Sequence, residues 1–294
     1  MNYIVIIAKY GLSSMRETIN QMSQQVTLLA RKENGTWISN VRDRSFMLRG
    51  QPIFTPNDKV ISWGNSMPVG NAGIHYNTGK AVSISSDKGL FRKVMMENEI
   101  PIPTPYHKDT NRWPIVIRPL HHHAGKHFFV ANNITEFSRI TSRLGEYYAS
   151  EVYPKQREVR VHCASGKVLL IKEKPAPADK NTIAWNFAIN EEAWTTIDRQ
   201  NYDPELCKIA LQAMDAISLD IGAVDVMFDP SEKGYAKYVI CEINTAPSLT
   251  PYLQQKYAMY FDHIFRANSK LNPWDWSKFT KGKSFSWKNE QLEN

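Results

Sequence analysis

Residues 223–252, AVDVMFDPSEKGYAKYVICEINTAPSLTPY, constrain the fold more than any other part of the chain. Ala223 to Asp229 and Lys237 to Asn244 are apolar-rich runs, and Pro230 and Gly234 punctuate their connection. This pattern predicts two strands around a turn. Asp225 and Glu242 are about equally far from the turn centre, so an antiparallel hairpin sets them roughly opposite each other. Asn244, two residues beyond Glu242, shares its face. Such a cluster of hard oxygen donors suits Mg²⁺, which keeps waters and takes phosphate oxygens as further ligands. Two carboxylates without a ligand would repel there, so a bound cation is the expected occupant. An ordinary hairpin with both acids in solvent has the same spacing and stays open on spacing alone.

The string Glu-Ile-Asn-Thr-Ala-Pro, Glu242 to Pro247, preceded by an Asp-centred apolar strand, closely resembles the terminal motif of ATP-grasp enzymes. D-alanine–D-alanine ligases and ribosomal-protein glutamate ligases carry such a motif. The resemblance implies that Asp225, Glu242 and Asn244 hold magnesium, two ions being expected, against ATP. A second match lies in SSDKGLFRKVMMENEIPIPTP, Ser85 to Pro105. It is similar to the segment that opens the nucleotide-binding domain of many ATP-grasp ligases, and it brings Lys88 into the nucleotide site. The order of S-x-K, P-x-V-x-R-P, E-x-R-V-H and D…E-x-N is the most diagnostic feature. The likeness runs from about Ser85 to Tyr260 and implies an α/β (α+β) ATP-grasp fold behind a small N-terminal α/β domain. The string ISWGN, Ile61 to Asn65, also resembles phage-type carboxylate–amine ligases.

The domains are expected at 1–80 (N-terminal α/β), 81–270 (nucleotide-binding and catalytic) and 271–294 (basic, aromatic tail). Tyr3 to Ala8 reads as a buried strand, Met15 to Leu29 as a helix, and Thr36 to Phe54 as short strands. Asp58 to Trp63 reads as a strand running into a polar loop, Gly64 to Gly79. In the next helix Ser86 or Asp87 is the cap and Leu90, Val94 and Ile100 mark the apolar side. Strands follow at 113–118, 128–131 and 147–153, with a helix at 134–144 between the last two. A hairpin, 158–163 with 167–173, turns at Ser165-Gly166. Amphipathic helices are expected at 203–218 and from Ser248 through Phe265.

Arg118 ends a strand and Lys126 follows the loop LHHHAG, so two cations flank a loop that can neutralise phosphate. The family usually has Lys at the first position and glycines in the loop. Here Arg118 and His121, His122 and His123 stand in their place, and phage-type members share the Arg. For the histidines, a phosphate contact, a metal site and a solvent-exposed loop all remain open. A phosphate-contacting imidazolium would strengthen ATP binding as pH falls from about 8 to 6.

In REVRVHC, Glu158, Arg160 and His162 alternate on one face with Val159 and Val161 on the other. The resemblance assigns Arg160 to the transferred phosphate, with Glu158 orienting it through a bidentate pair, and it lets Lys172 and Lys174 touch phosphate or acyl group. Glu151, Val152 and Tyr153 fall where the family's hinge holds adenine and ribose. One position departs from D-alanine ligases, which place an Arg two residues before the metal Asp. This chain has Ala223 there.

The resemblance thus implies an ATP-dependent carboxylate–amine ligase acting through an acylphosphate on small-molecule or peptide carboxylates and amines. An ATP-grasp small-molecule kinase is the alternative within the fold. A third reading, nucleotide-dependent nucleic-acid binding, rests on a net charge of +7 and on the tail. There Trp274, Trp276, Phe279, Phe285 and Trp287 interleave with Lys278, Lys281, Lys283 and Lys288. A tail packed on its own domain or on a partner subunit is favoured over that reading. Three cysteines, and a start MNYIVIIAKYG that lacks a signal-peptide pattern, fit the expectation of a cytoplasmic protein. No apolar run reaches the roughly 20 residues of a membrane span. The oligomeric state is open, a homodimer included.

Overall fold

The computed structural model describes residues 2–7, 12–31, 37–39, 47–48, 51–109, 112–120, 127–178, 183, 185, 193–231 and 234–267. The first elements are β1 (Tyr3–Ile7), α1 (Leu12–Asn20), β2 (Val26–Arg31), β3 (Trp37–Ser39), β4 (Met47–Leu48), β5 (Gln51–Pro52), β6 (Lys59–Trp63) and β7 (Ile74–Tyr76). They build a sheet in the order β3-β2-β1-β6-β7, with β3 antiparallel at one edge and the other pairs parallel. Parallel strands are buried on both faces, so their sequences run apolar throughout. In β1, Ile4 and Ile6 pack with Leu29 and Val60, whereas Val5 and Ile7 face Leu28, Ile61 and Trp63.

Two expectations for this unit are corrected. The helix expected over Met15 to Leu29 ends at Asn20, and Val26–Arg31 is a strand in parallel register with β1. Pairing with an existing strand and burial outweigh the helical spacing of the run. The loop expected over Gly64 to Gly79 contains β7, which pairs with β6.

The remaining elements are α2 (Gly79–Ser86), α3 (Lys88–Glu97), β8 (Ile115–Pro119), β9 (Phe129–Ala131), α4 (Ile134–Thr141), β10 (Tyr147–Glu151), β11 (Arg157–Ala164), β12 (Lys167–Glu173), β13 (Thr195–Thr196), α5 (Pro204–Ala216), β14 (Ile221–Phe228), β15 (Tyr238–Asn244) and α6 (Pro251–Arg266). Asp87 caps α3, its side chain accepting from the Gly89 and Leu90 N–H groups. Phe91 and Met95 take the buried face of α3, and Leu90, expected inward, is 41% exposed. The short helix α2, absent from the sequence reading, precedes it.

A three-stranded antiparallel sheet, β10-β8-β9, packs Ile115, Ile117 and Ala131 against Phe137 of α4. A five-stranded antiparallel sheet, β13-β12-β11-β14-β15, is the platform of the second half. The β11–β12 turn has positive φ at both Ser165 and Gly166, the requirement of a two-residue hairpin turn. One face of this sheet presents Val159, Val161, Ile171, Val224, Val226, Ile240 and Ile243 to α5 and α3. The last helix, α6, spans both halves. Its Tyr257, Tyr260, Phe261 and Phe265 share one core with Val5 and Trp63 and with Ala164, Leu170 and Ile221. Lys59 caps it, its ammonium donating to the Phe265 carbonyl at 2.6 Å and to that of Ala267. Among the described residues, no helix is long and apolar enough to cross a membrane.

Candidate active site

The other face of the five-stranded sheet carries charge. Register sets Thr196 opposite Lys172, Lys172 opposite Arg160, Arg160 opposite Asp225, and Asp225 opposite Glu242. Directly opposed residues share a face. One row across five strands therefore reads Thr196, Lys172, Arg160, Asp225, Glu242.

A β-bulge completes this row. Asp225 pairs with Glu242, but Val226 pairs with Ile240, so Cys241 is an extra residue in β15. The insertion shifts the alternation by one. Ile240 and Ile243 consequently both enter the apolar core, and Glu242 stands on the face of Asp225. The opposition of Asp225 and Glu242 anticipated from the hairpin is present.

The row is neutralised internally. Arg160 grips Asp225 bidentately, Nε to Oδ1 at 2.7 Å and Nη2 to Oδ2 at 2.9 Å. Lys174 reaches Asp225 Oδ2 at 3.0 Å and also Glu158. Lys155 donates to Glu158 at 2.6 Å. Lys88, the first residue of α3, sits 3.3 Å from Glu242 Oε2. The Asn244 amide is 3.4 Å from Glu242 Oε1. One expectation changes accordingly: Glu158 pairs with Lys174 and Lys155, and the bidentate partner of Arg160 is Asp225. Side-chain cations of the protein thus lie beside both carboxylates.

Burial alone would raise the Asp225 carboxyl, but Arg160 and Lys174 hold it well below the usual carboxylate range. Glu242 is also pushed up by burial and then drawn below its ordinary value, chiefly by Lys88. Burial disfavours the Lys174 ammonium, and Asp225 and Glu158 overturn that and raise it. Farther along the same face, His162 is fully buried, with Nδ1 3.0 Å from the Tyr257 hydroxyl. Burial, then Arg160 and Lys172, keep it neutral well below the ordinary histidine value.

In the opposite direction along this face the row gives way to Met227, Val239 and Tyr153, a small apolar cluster. The Tyr153 hydroxyl is anchored on the Ala236 and Lys237 carbonyls at 2.8 and 2.9 Å. Glu151 is buried and lies 3.6 Å from Arg112, whose guanidinium rests 5.4 Å from the Tyr235 ring. The Val152 N–H donates to the Pro114 carbonyl and the Tyr153 carbonyl accepts from Lys155. Among the described residues, no backbone partner is seen for the Val152 carbonyl or the Tyr153 N–H. Arg118 stands opposite Tyr148, 5.8 Å from the Phe128 ring. Helix α3 joins the two sheets: Lys88 meets Glu242, and Arg92 lies 4.2 Å over Tyr148. Lys126, His121, His122, His123 and the tail from 268 onward lie outside the described residues.

Trp194 and Thr196 escaped the sequence reading. Trp194 precedes β13, where Thr195 pairs with Glu173 and Thr196 with Lys172. Its ring lies 4.8 Å from the Arg160 guanidinium and 5.1 Å from the Lys174 ammonium. A cavity of about 610 Å³ opens beside Arg157, Val159, Ile171, Tyr202 and Phe228. It borders the face of Val159 and Ile171 and reaches Thr196 at the end of the row.

Two carboxylates and an amide oxygen fit a hard divalent cation with phosphate and water as further ligands. Among the described residues no group of three or more His, Cys, Asp or Glu side chains gathers as a metal site. Such a donor set depends on oxygens brought by a substrate.

Comparisons with known proteins agree with this fold. The RimK-like ATP-grasp domain matches residues 105–259. No curated protein matches the sequence. Among solved structures, the D-alanine-D-alanine ligase from Coxiella burnetii is similar at 13% identity and TM-score 0.57, over 90% of this chain and 98% of that one. ATP-grasp ligase PsnB complexed with minimal precursor gives 11% and 0.60, over 90% and 99%. The D-alanine–D-alanine ligase from Bacillus anthracis gives 14% and 0.54, over 90% and 99%.

Proposed function

The chain belongs to the RimK-like ATP-grasp family, and from that premise we propose that it is an ATP-dependent carboxylate–amine ligase. The observation that supports this most is the row Lys172, Arg160, Asp225, Glu242, which sets anion-binding and cation-binding groups side by side on one buried face. A molecule carrying both phosphates and a divalent cation satisfies both halves at once.

In this reading adenine rests near Met227 and Tyr153, with Glu151 and the hinge backbone on its polar edge. Lys88, Arg118 and Lys126 bind the phosphates. Asp225, Glu242 and Asn244 hold Mg²⁺, which when bound lowers the repulsion between the phosphates and an incoming carboxylate. That carboxylate takes the γ-phosphoryl group, releasing ADP and leaving an acylphosphate. Arg160, Lys172 and Lys174 stabilise charge on the transferring group. An amine then attacks the acyl carbon, phosphate departs, and an amide or peptide bond remains. No Arg stands at position 223. Ala223 is fully buried opposite His162 and Asn244, so the transition-state charge falls to the Arg160 group.

ADP release measured with panels of carboxylic acids and amines, paired with mass spectrometry, tests this function. An amide product is expected. A phosphoester product would instead indicate a small-molecule kinase.

A further inference from the structure

Trp194 is 5% exposed, and among the described residues its indole Nε1 is buried without a hydrogen-bond partner. A buried N–H left unpaired costs free energy, and native structures seldom leave one without cause. Its surroundings indicate what it lacks. The ring covers Arg160 and Lys174, 4.8 and 5.1 Å from its centroid, so an acceptor in line with the in-plane N–H sits in the field of both cations. An indole N–H only donates. The missing partner is therefore an acceptor, and beside a guanidinium and an ammonium the favoured acceptor is an anionic oxygen.

Arg160 and Lys174 already share Asp225, and Lys174 also shares Glu158. Neither carboxylate accepts from the Trp194 indole. Burial strengthens the cation–π attraction between the ring and the two cations.

We propose that Trp194 is a substrate-contacting residue that donates its indole N–H to an oxyanion of the reacting ligand, a phosphoryl or a carboxylate oxygen, seated over Arg160 and Lys174. The proposal rests on the ligase reading and adds to it a neutral donor beside the cation pair. A neutral donor discriminates by position, because it gains little from an anion displaced toward either cation.

The ¹H–¹⁵N spectrum of the eight tryptophan indoles reads this contact directly. Trp194→Phe, which keeps an aromatic ring over the cations, identifies the Trp194 signal by its loss. With Mg²⁺ and the non-hydrolysable analogue AMP-PNP, a downfield shift of that signal marks a phosphoryl acceptor. A shift only when acetate is added to the Mg²⁺–ADP complex marks a carboxylate acceptor. Calorimetry should show Trp194→Phe weakening the shifting ligand by about tenfold, the loss of one hydrogen bond to a charged group. The other ligand should be unaffected.

A Trp194 signal that stays fixed while calorimetry reports saturation by both ligands overturns the proposal and leaves the ligase reading standing. Failure of AMP-PNP to bind wild-type protein overturns both.

Discussion

The two faces of the five-stranded sheet are chemically opposite, and the charged one is buried at its centre and half-buried toward Glu242 and Thr196. Val226 is 0% exposed and Asp225, the next residue, is 2% exposed. On the α5 face, Val159, Val161, Ile171, Val224 and Val226 stabilise the fold in proportion to the apolar area they remove from water. On the other face, Arg160, Asp225, Lys174 and Glu158 are largely stripped of water, and their mutual pairing offsets the desolvation. A buried ion-pair network rarely stabilises more than packed hydrophobes of similar volume. The charged face is therefore better explained by binding than by folding, and the apolar face by folding alone.

Asp225→Asn breaks the charged face hardest. It leaves Arg160 and Lys174 buried without their shared counter-charge, so urea denaturation should show a loss of about 4 kcal/mol, with ATP turnover abolished. The matching lesion on the other face, Ile171→Ala, should cost about 3 kcal/mol while nucleotide affinity in the folded protein stays within about twofold. If Ile171→Ala also removed nucleotide binding, the division between the faces would be wrong.

Arg160→Met sharpens the comparison within the charged face. It should raise the barrier for turnover by about 3 kcal/mol, roughly a hundredfold in rate. Adenosine binding should change little. Equal losses in adenosine binding and turnover would make Arg160 a structural residue.

His162 gives a smaller, pH-dependent effect. Its folded value is lowered, mainly by burial, so the folded protein binds fewer protons than the unfolded chain. The stability it contributes is present above the unfolded value of about 6.5 and is lost as pH falls below it, at up to about 1.4 kcal/mol per pH unit. His162→Phe should abolish this slope between pH 6.5 and 5. The loss from Asp225 and Glu242, also held low, begins only below about pH 4. An unchanged slope in His162→Phe would assign the titration elsewhere.

Much of this site was legible because strand alternation and hairpin symmetry are local rules. Asp225, Glu242, Asn244, Arg160 and Lys172 occupy the face that spacing gave them. Alternation assigns a face but not a partner. Thus Glu158 was expected on Arg160, while three-dimensional packing gave Arg160 to Asp225 and Glu158 to Lys174. The bulge at Cys241 could not be read from period either. It merely kept the two carboxylates in the opposition that counting from the turn suggested. Trp194 and Thr196 were missed because β13 is two residues long and carries no periodic signal. The apolar residues of 15–29 fit a helical spacing as well as a strand at β2, and only pairing with β1 decides between them.

Glu242→Gln tests the central claim most directly, because it disturbs the fold least. The Glu242 side chain is 29% exposed and its ion pair is a single contact with Lys88, so the stability change should stay under about 1 kcal/mol. Calorimetric titration of AMP-PNP, with and without Mg²⁺, should show wild-type affinity rising on addition of the metal. In Glu242→Gln that increment should vanish, while affinity without the metal stays within about twofold or improves slightly as Lys88 is freed. A folded Glu242→Gln protein with the full wild-type Mg²⁺ increment would contradict the assignment of this row as the nucleotide and metal site.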